Sequence, residues 1–304
     1  MKIAFAGTPK VASRVLENLA VEHEVLAVIT RPDAPLGRKK VMTPSATSEV
    51  ADALGVPVIK TSRVDRKLAT QLKQSGVELV VVVAYGSLIP KEALDVLPWW
   101  NLHFSLLPQW RGAAPVQHSI IEGIGQGVTV FKLDEGMDTG PILASAPHAL
   151  GEDCTTAEAI EELGEVGGQL LMATLAEMPE GEPQVGAASF APKITRADAR
   201  LNLNDSAVQL SRKVRAFNPE PMAWLEHGGN PLRIIKARSL GNIDWSHHSD
   251  QQWQPGDLEI SEGRVQLVCG AGSRLELIEV QPAGKRAMKA VDWARGLAGD
   301  THLG

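Results

Sequence analysis

The densest run of side chains able to do chemistry is Asn101-Leu102-His103-Phe104-Ser105-Leu106-Leu107-Pro108-Gln109-Trp110-Arg111-Gly112-Ala113-Ala114-Pro115. Side chains alternate between the faces of a strand, so Asn101 and His103 point the same way if this segment is extended. An amide beside an imidazole can donate hydrogen bonds to one developing oxyanion. The imidazole can also move a proton near neutral pH. Pro108, Gly112 and Pro115 fix the loop that follows, at the carboxyl end of the strand, where open α/β sheets hold their sites. The same residue types suit a turn-capping Asn101 and a hydrogen-bonded core His103 about as well.

A second cluster is Asp134-Glu135-Gly136-Met137-Asp138-Thr139-Gly140. Its glycines permit a bent loop with positive φ. A carboxylate held there can orient His103 and take part in proton transfer. Taken alone, the heptad fits an ordinary Asp/Gly turn better. The chain has no GxSxG, HExxH or CxxC motif. The chemistry expected is therefore direct transfer with no covalent enzyme intermediate. Gly7-Thr8-Pro9 follows the first expected strand but supplies one of the three glycines of a dinucleotide fingerprint. It reads as a tight strand-to-helix turn. His247-His248 reads as solvated, and no metal is expected.

Cations gather in three places: Arg38-Lys39-Lys40, Arg212-Lys213-Val214-Arg215 and Lys285-Arg286-Ala287-Met288-Lys289. Each alone reads as a solvated face; together they can follow a phosphate backbone. The net charge of −6 does not forbid this, because the acidity is local. Residues 151–200 carry 3 basic and 10 acidic side chains, whereas residues 1–150 carry 15 and 14, and residues 201–304 carry 12 and 12. A general coating of DNA is excluded on that balance.

The elements that must position these groups follow from the apolar pattern. A chain of 304 residues suggests two domains at about 150 residues each. In the first half, short apolar runs (2–6, 24–30, 56–59, 77–84, 101–104, 127–133, 141–147) alternate with helical spacings (11–19, 45–54, 66–73, 117–122). That alternation predicts a mainly parallel sheet covered on both faces. A long helix is expected over 155–178, and Pro179, Gly181, Pro183 and Gly186 then mark a linker at about 179–202. A helix over 207–217 precedes short strands at 222–227, 232–237, 257–260, 265–267 and 275–280, a spacing that suits a small β-barrel or sandwich. Two cysteines build neither a disulfide framework nor a four-cysteine metal site, which points to a reducing compartment. The amino-terminal apolar run is too short for a signal peptide, and the longest apolar stretch is far below a bilayer span. A soluble cytoplasmic protein with no membrane partner is expected.

Taken together, these residues resemble the folate-dependent formyltransferases, most closely the members that act on initiator methionyl-tRNA. The resemblance rests on Phe5-Ala6-Gly7-Thr8-Pro9, Val82-Val83-Ala84-Tyr85-Gly86, Asn101-x-His103-x-Ser105-Leu106-Leu107-Pro108-x-x-Arg111-Gly112 and Asp134-x-Gly136-x-Asp138-Thr139-Gly140, in that order. It continues through Arg215-Ala216-Phe217-Asn218-Pro219-x-Pro221-Met222-Ala223-Trp224 and Gln281-Pro282-Ala283-Gly284-Lys285. It implies a Rossmann-like α/β catalytic domain (1–178), the linker (179–202) and a small OB-like β-barrel domain that binds tRNA (203–304).

The implied reaction moves a formyl group from 10-formyltetrahydrofolate to the α-amino group of methionine on initiator tRNA. The implied catalytic residues are Asn101, His103 and Asp138. Ser105, Leu106, Leu107 and Pro108, with Tyr85 and Gly86, are the implied folate contacts. Arg38, Lys39 and Lys40, with Arg212, Lys285 and Lys289, are the implied tRNA contacts. A monomer serving translation initiation is expected.

The chain departs from the family pattern at three places. Gly37-Arg38-Lys39-Lys40 lacks a second glycine, Leu201-Asn202-Leu203 stands where Ile-Asp-Trp is common, and Phe104 stands where Gly or Pro is common. A relative acting on a nucleotide-linked amino sugar would use the same three catalytic residues. The segment from Arg215 to Trp224 favours the tRNA-directed members. A non-catalytic RNA-binding protein and a nicotinamide-dependent dehydrogenase are the remaining alternatives, opposed by the intact Asn/His/Asp set and by the single glycine of the first turn.

Overall fold

The computed structural model describes residues 1–37, 39–240, 253–297, 299 and 301–304. Arg38 and His247-His248 lie outside the described residues. The chain forms two compact units, one of residues 1–119, 124–150 and 158–192, the other of residues 120–123, 151–157 and 193–304.

In chain order the elements up to residue 191 are β1 (Lys2–Gly7), α1 (Lys10–Glu22), β2 (Glu24–Thr30), β3 (Ala34–Leu36), β4 (Val41–Thr43), α2 (Ala46–Ala53), β5 (Val58–Lys60), α3 (Arg66–Gln74), β6 (Leu79–Val83), α4 (Lys91–Leu94), β7 (Trp99–His103), β8 (Arg111–Gly112), α5 (Pro115–Glu122), β9 (Gly127–Lys132), β10 (Ile142–Pro147), α6 (Thr156–Glu177) and β11 (Phe190–Ala191). A seven-stranded sheet runs β10-β9-β7-β6-β1-β2-β5. Its five strands from β7 to β5 are parallel, while β9 and β10 add antiparallel pairs at one edge.

Every residue of β6, Leu-Val-Val-Val-Val, is buried. One face of the sheet (Ala4, Ala6, Val80, Val82, Trp99) packs on Ala69 and Leu72 of α3 and Ala93 of α4. The other face receives α1, whose buried side is Val11, Ala12, Val15, Leu16 and Leu19. Each fully buried Val or Leu side chain among these contributes about 1.5–3 kcal/mol. Caps set where the helices begin: Ser45 Oγ accepts from Ser48 N at 3.0 Å ahead of α2, and Asp65 Oδ1 from Leu68 N at 2.8 Å ahead of α3.

The expected turn at Gly7-Thr8-Pro9 is tightly packed. A Cβ on Gly7 would lie 2.7 Å from Ala12 Cβ and 2.9 Å from the Val83 carbonyl oxygen. Thr8 Oγ1 donates to the Tyr85 carbonyl at 3.1 Å, which ties this turn to the end of β6. Helix α6 carries Gly164, Gly167 and Gly168. Glycine inside a helix costs about 1 kcal/mol relative to alanine. Two of the three permit close packing: a Cβ would stand 2.5 Å from Val11 Cγ2 at position 164 and 2.8 Å from Leu102 Cδ2 at position 167. Leu102 lies between Asn101 and His103, so α6 supports the strand that carries both.

Two stretches differ from the sequence expectation. Residues 34–36 and 41–43, to which the apolar pattern assigns no element, form the β3–β4 hairpin with Leu36, Val41 and Met42 exposed. Strands of three residues that bury no face leave no hydrophobic alternation to read. Residues 182–192, expected within a linker, are bonded to the first unit: Glu182 pairs with Ile142, and β11 pairs in parallel with β8.

The second unit contains α7 (Ala207–Ala216), β12 (Trp224–His227), β13 (Asn230–Ser239), β14 (Leu258–Ser261), β15 (Arg264–Val268), β16 (Arg274–Pro282), β17 (Met288–Lys289) and α8 (Ala290–Ala294). A capping box at Ser206 and Gln209 starts α7. The strands form a six-stranded antiparallel sheet in the order β12-β13-β16-β15-β14, with β17 also paired to β16. The last residues reach both of its ends. Glu226 N donates to the Gly304 carbonyl at 2.6 Å beside β12, and Leu258 N donates to the Thr301 carbonyl at 2.8 Å on β14.

The glycines of α6 yield a paired prediction. Gly167→Ala overpacks Leu102 and is expected to destabilise the protein by about 1–2 kcal/mol despite the helix-propensity gain. Gly168→Ala meets only ordinary contacts at 3.5 and 3.8 Å and is expected to be neutral or stabilising. Denaturant or thermal unfolding of the two variants decides this; equal effects would remove the packing role of Gly167.

Candidate active site

Strand order in the seven-stranded sheet reverses between β1 and β6: β2 and β5 extend it one way, β7 the other. Ligands of open α/β sheets bind at such a switch point, beyond the carboxyl ends of the strands. A cleft of about 800 Å³ opens next to it, at the carboxyl ends of β6 and β7. Its lining includes Asn101, His103 and Asp138, so the three residues singled out from the sequence meet at one site. Asn101 and His103 share a face of β7, as the two-residue period requires. Their partners are Phe131 and Thr129 on β9.

His103 is 5% exposed. Its Nε2 lies 2.9 Å from the Trp110 carbonyl oxygen. A carbonyl only accepts, so Nε2 carries the hydrogen. In the neutral ring Nδ1 is then a free lone pair. It faces Asp138 Oδ2 at 3.7 Å, beyond hydrogen-bond range. Burial pushes the imidazole below the ordinary histidine range, while the Asp138 carboxylate and the Trp110 carbonyl oppose that shift. The resting pair is a neutral imidazole beside a carboxylate, and a proton arriving at Nδ1 would stand between them.

Asp138 is held from several sides. Its backbone is left-handed, with φ of 54°. Its Oδ2 accepts from Gly112 N at 2.8 Å. Gly112 has φ of 125°, and a Cβ there would lie 2.8 Å from the Ala191 carbonyl oxygen. The loop carrying Asp138 is closed by Asp134 Oδ1, which accepts from Gly136 N and from Thr139 Oγ1 at 2.6 Å. Residues 108–114 in turn lean on residues 189–191: Trp110 N donates to Ser189 Oγ at 2.9 Å, Arg111 N to the Ser189 carbonyl at 2.9 Å, and Ala113 N to the Ala191 carbonyl at 2.9 Å.

The expected folate contacts divide. Tyr85 and Gly86 line the cleft. The Tyr85 ring is buried, with Oη donating to the Thr61 carbonyl at 2.7 Å. Burial raises its phenol, which stays protonated. Ser105, Leu106, Leu107 and Pro108 are not part of the lining. Ser105 is fully buried, and its Oγ donates to the Gln109 carbonyl at 2.6 Å. Leu107 N donates to Thr129 Oγ1 at 3.1 Å, and Leu106 N to the Gly125 carbonyl at 3.1 Å. These bonds, with that from Thr129 Oγ1 to the Ser105 carbonyl at 2.7 Å, fasten the backbone of the segment to β9 and to Gly125, and it buttresses the loop from behind. Ser87, Leu88, Ile89 and Pro90 line the cleft, with Phe104, Leu133 and Met137. Leu88 is 72% and Met137 51% exposed. Lys91 and Glu135 pair at 2.6 Å at the rim. The signal for 87–90 was their position, directly after the buried strand β6.

The expected tRNA contacts also divide. Lys39 and Lys40 are exposed at the β3–β4 turn. Lys285 and Lys289 are exposed beside β16 and on β17. Arg212 is half-buried and donates to the Glu122 carbonyl at 3.2 Å. Among the described residues, no group of three or more His, Cys, Asp or Glu stands ready to hold a metal ion.

Residues 1–175 match the family model for formyl transferase, and residues 193–298 match that for the formyl transferase C-terminal domain. A methionyl-tRNA formyltransferase of Paenarthrobacter aurescens (strain TC1) is 40% identical over 306 residues, covering 98% of this chain and 97% of the relative. One of Leifsonia xyli subsp. xyli is 40% identical over 314 residues, covering all of both. Among solved structures, an N-formyltransferase from Helicobacter canadensis, in complex with folinic acid and dTDP-3-aminofucose, superposes with a TM-score of 0.66 at 18% identity, covering 93% of this chain and 99% of that one. HypX from Aquifex aeolicus superposes with a TM-score of 0.65 at 16% identity; the match covers 99% of this chain and 48% of HypX. These two likenesses concern the fold.

The geometry of His103 sets a titration. Its ring is expected to protonate below the ordinary histidine value near 6.5, and Asp138→Asn is expected to lower that value further, because the opposing carboxylate is gone. Histidine NMR titration of the two proteins reads both. The sign for stability follows: the unfolded chain binds a proton that the folded ring refuses, so stability falls as pH drops below about 6.5. A titration unmoved by Asp138→Asn would show that the two groups do not interact.

Proposed function

The chain belongs to the methionyl-tRNA formyltransferase family, and on that membership we propose that Asn101, His103 and Asp138 carry out formyl transfer in the cleft at the ends of β6 and β7. The enzyme transfers the formyl group of 10-formyltetrahydrofolate to the α-amino group of methionine on initiator tRNA. The observation that carries the site reading is the convergence of Asn101, His103 and Asp138 in one cleft at the ends of β6 and β7.

The amine nitrogen attacks the formyl carbon. A carbon–nitrogen bond forms, and the carbonyl electrons move onto the formyl oxygen. Asn101 supplies amide hydrogens to that oxygen. The attacking amine must lose a proton, and the His103–Asp138 pair accepts it; Nδ1 is the free lone pair, because Nε2–H is committed to Trp110. The proton on Nδ1 stands between the ring and the Asp138 carboxylate, and the imidazolium charge stabilises the oxyanion beside Asn101. Collapse breaks the bond to the folate nitrogen, which receives the proton. The low dielectric around a 5% exposed ring strengthens each of these interactions.

The donor's ring system takes the cleft along Tyr85 to Pro90, where Leu88, Ile89 and Leu133 offer apolar surface. Ser105 to Pro108 act as a buttress to that pocket. Lys39 and Lys40 on the hairpin, and Lys285 and Lys289 on the second unit, meet tRNA phosphates. Arg212 serves the second unit's own packing through Glu122. Residues 1–178 form the catalytic domain and 203–304 the tRNA-binding domain; of the joining segment 179–202, the part from Glu182 to Ala191 is bonded to the catalytic domain. The bonds from residues 301–304 to β12 and β14 support closure of the second sheet as an OB-like barrel. Among the described residues no helix is long and apolar enough to cross a membrane.

The test is label transfer from 10-formyltetrahydrofolate to methionyl initiator tRNA, with free methionine and an amino-sugar nucleotide as parallel acceptors. Label on the charged tRNA alone is expected; label on the sugar would overturn the acceptor. Asn101→Ala is expected to lower kcat by about 10²–10³, the usual effect of removing one oxyanion donor. Lys39→Ala with Lys40→Ala is expected to weaken tRNA binding and flatten its salt dependence, with each lost phosphate contact removing about one unit of slope. An unchanged slope would remove these lysines from the interface.

A further inference from the structure

Gln184 lies in the stretch after α6, remote in sequence from every residue of the site. Its side-chain amide uses its whole hydrogen-bonding capacity on the site's two loops. Nε2 donates to the Asp138 carbonyl at 2.8 Å and to the Gly140 carbonyl at 2.9 Å. Oε1 accepts from Arg111 Nε at 3.1 Å and from the same guanidinium's terminal nitrogen at 2.6 Å. The partners fix the orientation of the amide, since arginine only donates and carbonyls only accept.

These bonds close a ring. Arg111 adjoins Gly112, whose N–H holds Asp138 Oδ2. Asp138 returns through its own carbonyl to Gln184, and Gln184 returns to Arg111. The carboxylate and the carbonyl of one left-handed residue are thus pinned by two neighbouring segments. The loop's internal bonds, from Gly136 N and Thr139 Oγ1 to Asp134 Oδ1, do not involve the Asp138 carbonyl. The other charges nearby are engaged elsewhere: Glu135 by Lys91, Asp134 by Thr139 and Arg111 by Gln184 itself. Asp138 is therefore the charge that acts on the imidazole.

We propose that Gln184 is a positioning residue for formyl transfer: by pinning the Asp138 and Gly140 carbonyls it keeps the Asp138 carboxylate facing His103 Nδ1. The inference rests on the reading of His103 and Asp138 given above. Gln184 does not touch the reacting atoms, and it acts through Asp138. Without its amide hydrogens the two carbonyls turn to water, the Asp138 peptide rotates and the carboxylate leaves the imidazole. A misplacement of about 1 Å costs on the order of 10²-fold in rate.

The test uses the full chain with Gln184→Met, which removes all four bonds at similar length, and Gln184→Glu, which keeps an oxygen for Arg111 and loses the donors. Asp138→Asn and Val185→Ala, at a neighbour that is 86% exposed, are the comparators. Steady-state transfer is measured across pH with both substrates varied, beside thermal melting. For both Gln184 variants kcat is expected to fall about tenfold or more, with KM for folate and for charged tRNA within about twofold and melting close to the parent. The acid limb of kcat is expected to move to lower pH, in the direction Asp138→Asn moves it, because the imidazole loses the same carboxylate. Val185→Ala is expected to match the parent.

A kcat within about twofold of the parent would overturn the proposal. So would a loss of rate that tracks the loss of folded protein while the acid limb stays in place. If the Met variant fails to fold, the Glu variant, with its link to Arg111, decides alone. If Asp138→Asn itself retains full kcat, the reading of the site falls and the role of Gln184 falls with it. An active-site effect in Asp138→Asn with none at Gln184 overturns the Gln184 role alone.

Discussion

The hydrogen bond from His103 Nε2 to the Trp110 carbonyl, 2.9 Å long, determines what the rest of the site can do. A buried imidazole has two nitrogens and one hydrogen to place. Committing the hydrogen to a backbone carbonyl seven residues along leaves Nδ1 as the reactive nitrogen. Asp138 then has one useful position, opposite Nδ1, and the surrounding loops are built to hold it there. Trp110 must turn its carbonyl back toward the strand it has just left. It does so with φ of 61°, and Ser189 Oγ takes its N–H.

From that bond the support spreads outward in layers. Ser105, Leu106 and Leu107 fasten the same loop to Thr129 and Gly125 from behind. Residues 184–191 fasten it from the front and reach the aspartate loop through Gln184. Beneath both loops lies a sheet whose central strand is buried at every position. Such a sheet is a rigid base, because close-packed interiors transmit strain and do not absorb it. The residues that act on substrate sit on its strand ends and on turns with positive φ, where backbone shape is set by what surrounds it. Asp138, Trp110 and Gly112 are three such positions within one cluster.

Much of this was legible in the chain. The alternation of apolar runs and helical spacings locates most strands and helices of the first unit within a few residues, since a covered parallel sheet needs continuous apolar segments. The two-residue period placed Asn101 and His103 on one side of β7. The helical spacings over 45–54 and 66–73 correspond to α2 and α3. The β3–β4 hairpin left no such mark, because strands of three residues with exposed faces carry no burial pattern. The placing of Ser105–Pro108 outside the cleft lining was equally hidden: Leu106 and Leu107 have the composition of a pocket wall, and their backbone bonds to Gly125 and Thr129 depend on segments about 20 residues away.

The sequence by itself determined the chemistry available: an amide and an imidazole two residues apart, a carboxylate in a glycine-bent loop, and no nucleophile motif beside them. These are properties of residue type and local spacing, which survive without any knowledge of the fold. The tertiary structure alone decided which imidazole nitrogen is free, which carboxylate oxygen faces it, and what holds the two in place. Trp110, Gly112, Asp138 and Gln184 lie up to 74 positions apart along the chain, and their bonds depend on how the 189–191 segment runs beside the 108–114 loop. Gln184 in particular has no local pattern to announce it: a glutamine between prolines and glycines reads as linker, and its role exists only through partners that the fold brings to it.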